Sequence, residues 1–159
     1  MAEETLVDFA VVAYREDGQW QVGSLPPRAA EDLHSFVHAL RQQQSEGVSL
    51  GLCSYGDDFF LAVRPDGDDV RLLLSDISAG GDWPVAEQAM EMLDEPDQED
   101  DDVQPAGDLG IFADLGVSAM ELAAICSDLE LYPDEMLIQI ATHIGFGQQF
   151  QQAVDPDQA

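Results

Sequence analysis

Residues 5–25 read TLVDFAVVAYREDGQWQVGSL, and this stretch decides the fold. Apolar side chains occupy both alternating faces of residues 5–14, a pattern typical of a central strand covered on both sides. Residues 16–18 (Glu-Asp-Gly) place a glycine where a tight turn requires one, and residues 19–25 then alternate apolar and polar side chains. These features predict a β-hairpin whose first strand lies inside a sheet.

The chain after this hairpin predicts one helix, three strands and another helix. The first helix is expected over 30–43, where the apolar side chains follow helical spacing on one face: Leu33, Phe36, Val37 and Leu40. Strands are expected over 48–54, 58–64 and 69–75, and a helix over 84–93 that begins at a proline. The resulting ββαβββα order predicts the α+β fold class, with a mainly antiparallel sheet and helices on one face, in a domain over residues 1–93.

A change in composition follows this domain. Residues 94–107 (DEPDQEDDDVQPAG) contain seven acids and two prolines, which predicts an acidic, disordered linker extended by its own repulsion. Residues 108–154 then predict a small subdomain of three helices, and residues 155–159 a flexible tail. Three helices in about 45 residues bury little surface alone, so they are expected either to dock on the sheet domain or to bind a partner.

Two short signals set the predicted starts of the first two C-terminal helices. Ser118 and Glu121 have the spacing of a capping box, which predicts a helix from there to about residue 129. Pro133, followed by two acids, predicts the start of the next helix. This second helix is expected to end at Gly145, with Phe146 making the apolar contact of the cap.

The charge of the chain is extreme. Thirty-three acidic residues face five basic ones, all arginine, so the formal net charge is -28. Such a chain repels the phosphates of nucleic acid and of anionic membranes, and it attracts a basic protein surface. The absence of lysine excludes a Schiff-base lysine and a P-loop lysine. With no secretory signal and no apolar stretch long enough to span a membrane, a cytoplasmic location is expected.

No catalytic, cofactor or metal site is predicted. His34 and His38 are four residues apart on a predicted helix, a spacing that can hold a metal, but no third ligand is fixed by the sequence and solvent-exposed histidines are the better interpretation. The two cysteines, Cys53 and Cys126, lie in apolar segments and are expected to be reduced, buried thiols, with a single disulfide between them as the alternative. The aspartates at 57–58 and 66–69 lack the loop of an EF-hand, and Asp-Gly turns explain them better.

Several runs of the sequence carry a resemblance to a known family. They are ADLGVSAMEL at 113–122, DLELYPDEML at 128–137, IGFGQQF at 144–150, FAVV at 9–12 and LSD at 74–76. Through them the chain resembles the tRNA adenosine deaminase-associated proteins of actinobacteria. The resemblance implies a link to that deaminase through gene proximity and implies no catalytic residues. The chain itself lacks the H-x-E and P-C-x-x-C motifs with which a zinc deaminase holds its metal.

These observations predict a non-catalytic, acidic accessory protein that binds a basic protein partner, with tRNA adenosine deaminase as the candidate and no direct contact with nucleic acid or membrane. A general polyanion mimic that sequesters nucleic-acid-binding proteins is the alternative, and a small enzyme without a recognisable motif is a third. The residues expected to form the contact are Tyr132, Pro133, Asp134, Glu135, Met136, Phe146 and Gly147. Helix capping and packing are the alternative explanation, and they account well for Pro133, Gly145 and Phe146.

Overall fold

The structure is a computed structural model that describes residues 7–25, 32–42, 49–55, 59–66, 69–75, 84–93, 106–128 and 130–154. Within these residues the strands are β1 (Val7–Glu16), β2 (Gln19–Leu25), β3 (Ser49–Tyr55), β4 (Phe59–Asp66), β5 (Asp69–Leu74) and the two-residue β6 (Ala106–Gly107). The helices are α1 (Leu33–Gln42), α2 (Pro84–Leu93), α3 (Ala119–Cys126), α4 (Pro133–Ile144) and α5 (Gly147–Val154). The predicted α+β class is confirmed, with strands in the N-terminal part and helices in the C-terminal part.

Among the described strands every pairing is antiparallel, in the order β2-β1-β3-β4-β5-β6. The predicted hairpin at the start of the chain is present, with Glu16 paired to Gln19. Asp17 and Gly18 both have positive φ, 56° and 76°, as in the type I′ turn that suits the twist of a two-residue hairpin.

One face of the sheet is covered by α1 and α2. The buried side chains of this first layer include Phe36 and Leu40 from α1 and Ala86 and Ala89 from α2. Helix α1 packs closely on β3, because a Cβ atom added to Gly51 would lie 2.6 Å from Cδ1 of Leu40 and 2.7 Å from Cζ of Phe36. A larger residue at position 51 would therefore force the buried side chains of Leu40 and Phe36 to move.

The other face of the sheet is covered by the C-terminal helices. Its buried sheet side chains are Val11, Ala13, Trp20, Leu50, Leu52, Phe60, Ala62 and Leu73, and they pack against buried side chains of α3, α4 and α5. The sheet is thus the middle of three layers, and all seven residues of β3 are buried. Of the two arrangements that the sequence leaves open, docking of the helical segment on the sheet is the one observed.

The described residues cover only part of the predicted domain boundaries. Ala106 and Gly107, the last two residues of the range predicted as a linker, pair with β5, so they belong to the sheet. Residues 94–105 and the predicted tail at 155–159 lie outside the described residues. The division into a sheet domain and a helical subdomain stays a prediction. In the structure the two parts share an apolar core. None of the helices described is long and apolar enough to cross a membrane.

Candidate protein-binding surface

An ion pair from β4 attaches the start of the helical segment to the sheet. The Arg64 guanidinium donates to both carboxylate oxygens of Asp114, at 2.8 and 2.9 Å, and its Nη1 also donates to the Ile111 carbonyl at 2.8 Å. The Arg64 side chain is only 13% exposed. Its charge is therefore satisfied within the protein, by a bidentate geometry that arginine suits better than lysine.

A second arginine, on β5, makes the same kind of attachment. Arg71 Nε donates to Asp108 Oδ2 at 2.6 Å, and its Nη2 donates to the Gly110 carbonyl at 2.8 Å. Two of the five arginines in the sequence thus pair with acids of the same chain. The acids that remain on the outside of the helical segment have no lysine or arginine within residues 108–154 to balance them.

The Arg64 pair predicts one part of the acid sensitivity of the protein. The hydrogen bonds and charge of Arg64 lower the pKa of Asp114, so this group stabilises the fold above the unfolded carboxyl pKa, about 3.9, and stops doing so as the pH falls through its lower folded pKa. Because the Asp114 side chain is 59% exposed, the effect is at most about 1 kcal/mol. Asp114→Asn should therefore be less stable than the parent protein at pH 6, and this difference should shrink as the pH falls below about 3.9.

Urea unfolding at a series of pH values would measure this difference. Glu91→Gln, at an exposed position on α2, is the control and should keep the parent pH dependence. A constant gap between Asp114→Asn and the parent protein from pH 6 to pH 2 would show that the pair does not act through ionisation.

The helix α3 begins with the predicted capping box. Ser118 Oγ accepts the Glu121 N–H at 3.1 Å, and the Glu121 carboxylate accepts the Ser118 N–H at 3.0 Å. The hydrogen bond from the Ser118 N–H to the carboxylate is the main cause of the lowered pKa of Glu121, which keeps this group ionised at neutral pH. The start of α3 is therefore capped in both directions, and it carries a negative charge directly after Met120.

The helix α4 has a defined start and end. Glu135 Oε1 accepts the Tyr132 N–H at 2.9 Å, and Pro133 occupies the first helical position. At the other end the N–H groups of Gly145 and Phe146 both donate to the Ala141 carbonyl at 2.9 Å, and Gly145 has a φ of 123°. This is the predicted glycine cap, and it turns Phe146 into the core, where its ring centroid lies 5.1 Å from that of Trp20.

The helices α3 and α4 form an antiparallel hairpin. A Cβ atom added to Gly116, just before α3, would lie 3.1 Å from the carbonyl oxygen of His143 near the end of α4. The charge of His143 also lowers the pKa of Glu121. The start of α3 therefore lies beside the end of α4.

The hairpin and its connection carry exposed apolar and acidic side chains. Met120 is 82% exposed and Tyr132 is 58% exposed, the two highest values among the large apolar side chains described. Five exposed acids share the hairpin and its connection: Glu121, Asp128, Glu130, Asp134 and Glu135. These seven residues are called the hairpin surface below.

The residues predicted to contact a partner fall into two groups. Tyr132, Asp134 and Glu135 are exposed and belong to the hairpin surface. The side chains of the other predicted residues are accounted for by packing: Pro133, Met136 and Phe146 are buried, and a Cβ atom on half-buried Gly147 would overlap the Thr142 side chain. Tyr132, Asp134 and Glu135 therefore stay predicted contact residues, and Met120 is a further exposed side chain of the same hairpin.

The remaining candidate residues are the two histidines of α1 and the two cysteines. His34 and His38 are exposed on α1, and the His38 ring nitrogen Nε2 lies 2.9 Å from the Gln42 side-chain nitrogen. In the described part of the chain no three His, Cys, Asp or Glu side chains are grouped so that they could hold a metal ion. Cys53 and Cys126 are free and buried, and burial raises the pKa of each thiol to about 12.

Comparison with known proteins places the chain in a family. The family described as Rv3753c-like tRNA adenosine deaminase-associated protein matches residues 8–147. The chain is also similar to Protein Rv3753c of Mycobacterium tuberculosis, with 37% identity over 158 residues that cover 97% of this chain and 91% of that protein. No solved structure gives a significant match. The resemblance inferred from the sequence is confirmed, and the chain belongs to the Rv3753c-like tRNA adenosine deaminase-associated protein family.

Proposed function

We propose that the protein is a non-catalytic, acidic accessory protein that binds a basic surface of a protein partner in the cytoplasm, with tRNA adenosine deaminase as that partner. The observation that carries the proposal is the charge of the docked helical segment. Residues 108–154 contain seven acids and no lysine or arginine, and five of these acids are exposed on the hairpin surface. The family description supplies the candidate partner.

The opposite charges of this protein and of a tRNA-binding surface support the proposed partner. An enzyme that binds tRNA needs a cationic surface, because the phosphate backbone dominates the affinity for nucleic acid. A chain with a net charge of -28 is complementary to such a surface and is repelled by the tRNA itself. Association with the enzyme should therefore be fast at low salt and should weaken as salt screens the charges.

The environments of the described acids support a non-catalytic role. Three carboxyl groups have a clearly lowered pKa, and each is occupied by a structural partner: Asp32 by Gln88, Asp114 by Arg64 and Glu121 by Ser118. A lowered pKa keeps these groups ionised at neutral pH, whereas a general acid needs a raised one. These three carboxylates thus hold helix starts and an ion pair, and the proposal assigns them no role in a reaction.

A general polyanion mimic is the second candidate function, because the net charge alone would attract any basic protein. The exposed Tyr132 and Met120 favour a specific partner over this alternative. Apolar side chains contribute little to a purely electrostatic encounter, but they supply most of the energy at the centre of a specific interface.

Quantitative pull-down separates the two functions. The purified protein would be immobilised and challenged at about 150 mM salt, where exposed charges are screened beyond about 8 Å, with the deaminase encoded in the same genome and with unrelated basic tRNA-binding proteins. We expect retention of the deaminase and loss of the others. Equal retention of all of them would favour the polyanion mimic, and failure to retain the deaminase would refute the proposed partner.

A further inference from the structure

We propose that the protein forms a symmetric dimer in which the outer edge of β2 pairs with the same edge of a second copy. The surface that this contact covers consists of residues 18–25, with β2, and residues 144–154, with α5, and it is called the uncharged edge below. The inference goes beyond the proposed function and does not depend on it, because the occupant is a second copy of this chain and not the deaminase.

Strand β2 lies at one end of the sheet. Among the described strands it pairs only with β1. Glu16 is paired with Gln19 across the two-residue turn, which makes these two residues a hydrogen-bonded pair. The backbone groups of an antiparallel strand point alternately to its two sides, so those that point away from β1 belong to Trp20, Val22 and Ser24.

Helix α5 lies beside this outer side of β2. The Gln149 side-chain amide donates to the Trp20 carbonyl at 3.2 Å, so one outward group of the strand is satisfied within the chain. The Phe150 ring of α5 also meets the Phe9 ring of β1 edge-to-face, with centroids 5.6 Å apart. Strand and helix therefore form one continuous surface, on which Val22 and Ser24 carry the remaining outward backbone groups.

The uncharged edge differs from the rest of this acidic chain. Residues 18–25 and 144–154 contain no acidic or basic residue, whereas about four of the 33 acids would fall in these 19 residues by chance. Charged residues are depleted at the centre of protein interfaces, because a charge that is buried without a partner is costly. The absence of charge is therefore typical of a surface that becomes covered. Its exposed polar side chains are mainly glutamines: Gln19, Gln21, Gln148, Gln151 and Gln152.

The opposite edge of the sheet is protected, and the comparison shows what β2 lacks. On that side β5 carries Arg71, which is paired with Asp108, and the short β6 pairs with Leu73 and Leu74. Charges, prolines, bulges and short covering strands are the features that prevent unwanted pairing of strand edges. The seven residues of β2, QWQVGSL, contain no charge and no proline, and they pair with β1 without a bulge. Such an edge is suited to pairing with another strand.

Gly23, in the middle of β2, is not required by packing within the described part of the chain. Among the described residues a Cβ atom added to it would meet only Cγ1 of Val12, at an ordinary distance of 3.9 Å, and its φ is not positive. Glycine weakens a strand, and inside a strand it often marks a place where another backbone approaches closely. In the dimer the Gly23 residues of the two copies meet on the two-fold axis.

Symmetry and charge identify the second copy as the occupant. With the axis at Gly23, Val22 of one chain lies opposite Ser24 of the other, so the outward groups of both residues are used and Trp20 keeps its bond to Gln149. A basic partner finds no opposite charge on this surface and is attracted to the acids elsewhere. Two chains with a net charge of -28 repel each other, so the uncharged edge is where they approach most easily.

Sedimentation of the full chain over a range of protein and salt concentrations tests the dimer. We expect monomers at about 1 µM and dimers at about 100 µM, with the dimer favoured by about 0.5 M salt because screening weakens the repulsion between two acidic chains. The deaminase complex should respond to salt in the opposite direction, so this variable distinguishes the two associations. A chain that stays monomeric at about 100 µM in high salt would overturn the inference.

Substitutions at Ser24 test whether β2 is the strand that pairs. Ser24→Pro removes the outward N–H and leaves the hydrogen bonds to β1 intact, because this N–H does not face β1. Since each copy then loses one hydrogen bond to the other, we expect the dimer to weaken by about tenfold. Ser24→Ala keeps the N–H and is the matched control at the same exposed position. Equal dimerisation of the two variants would contradict pairing through β2.

A charge substitution on α5 keeps the test decisive if the proline variant does not fold. Gln152 is exposed about one turn after Gln149, so Gln152→Glu places an acid of each copy in the dimer contact. Gln42→Glu, at the exposed end of α1 on the other face of the sheet, adds the same charge outside the contact. We expect only Gln152→Glu to weaken the dimer, by about fivefold at low salt and less at high salt. Equal effects of the two variants would count against the uncharged edge.

Hydrogen exchange at the Val22 and Ser24 amides, followed by mass spectrometry, identifies the occupant. A second copy predicts protection that rises with the concentration of the protein. Protection that is already complete at about 1 µM would show that another segment of the same chain covers β2. Protection that appears only when the deaminase is added would assign the edge to that partner. Either of these two results would overturn the dimer.

Discussion

A chain that ends at residue 105 is expected to accumulate in the insoluble fraction. Removing the helical segment uncovers the second face of the sheet, where six large side chains are buried in the intact protein: Val11, Trp20, Leu50, Leu52, Phe60 and Leu73. Each such side chain contributes about 1.5–3 kcal/mol when fully buried, or roughly 9–18 kcal/mol together as an upper bound. This is similar to the whole stability of a typical domain, about 5–15 kcal/mol.

The soluble yield and the near-ultraviolet circular dichroism of the truncated chain would test this expectation. The control is a chain that ends at Asp155, which keeps all five described helices and should match the parent protein. Refolding the long fragment together with residues 106–159 should restore solubility. A soluble truncated chain with a cooperative unfolding transition would show that the predicted domain at 1–93 folds independently.

Phe146→Ala is expected to destabilise the protein by about 3–5 kcal/mol. The Phe146 ring is fully buried, and it packs against Trp20 at the junction of α4 and α5. Alanine would leave a cavity between these helices and β2. The backbone of Phe146 joins the two helices directly. Its N–H donates to the Ala141 carbonyl of α4 at 2.9 Å, and its carbonyl accepts the Phe150 N–H of α5 at 2.8 Å. The surrounding side chains can therefore move little to fill the space.

Urea unfolding at neutral pH would measure this loss. Met120→Ala, at an exposed position, is the matched control and should change the free energy of unfolding by no more than about 0.5 kcal/mol. The comparison also decides between the two roles that the sequence allows for Phe146. Equal stability of the two variants would contradict the packing role and return Phe146 to the set of contact residues.

The sheet can be predicted from the sequence because its local signals agree with one another. In β1 the two apolar faces, the Asp-Gly turn and the alternation of β2 all indicate a hairpin inside a sheet. The same two-sided pattern also implies a second covering layer, since an apolar face of a sheet is not left in water. The C-terminal helices are that layer. Their apolar stripes suit a sheet or a partner equally, so helical spacing alone does not select between them.

The ion pairs of Arg64 and Arg71 cannot be predicted from the sequence. With 33 acids in the chain, every arginine has many candidate partners, and the choice depends on where the chain returns to the sheet after residue 105. The strand β6 is missed for a similar reason. Two residues carry no periodic signal, and their pairing with β5 is fixed by the tertiary path of the chain.

The candidate surface is only partly predictable, for reasons that differ between its two apolar residues. In α4 the spacing of Met136, Leu137, Ile140 and Ala141 marks the buried side of the helix, so the burial of Met136 follows from the period. Tyr132 lies four residues before Met136 and would continue the same stripe, so its exposure follows from its place at the cap before the first turn and not from the period. In α3 the sequence AMELAAIC is apolar on nearly every side. No period distinguishes Met120 from its buried neighbours there, and its exposure follows only from the way α3 lies beside α4.

The two buried thiols make the layers of this protein separately observable. Cys53 lies in the core between the sheet and α1 and α2, while Cys126 lies in the core beneath the C-terminal helices. Because only a thiolate reacts readily with an alkylating reagent, a buried thiol whose pKa is about 12 is modified only when its own layer opens. The relative order in which mass spectrometry detects the two modified cysteines therefore records which side of the sheet opens first. A partner that binds and stabilises the hairpin of α3 and α4 would slow the labelling of Cys126 more than that of Cys53.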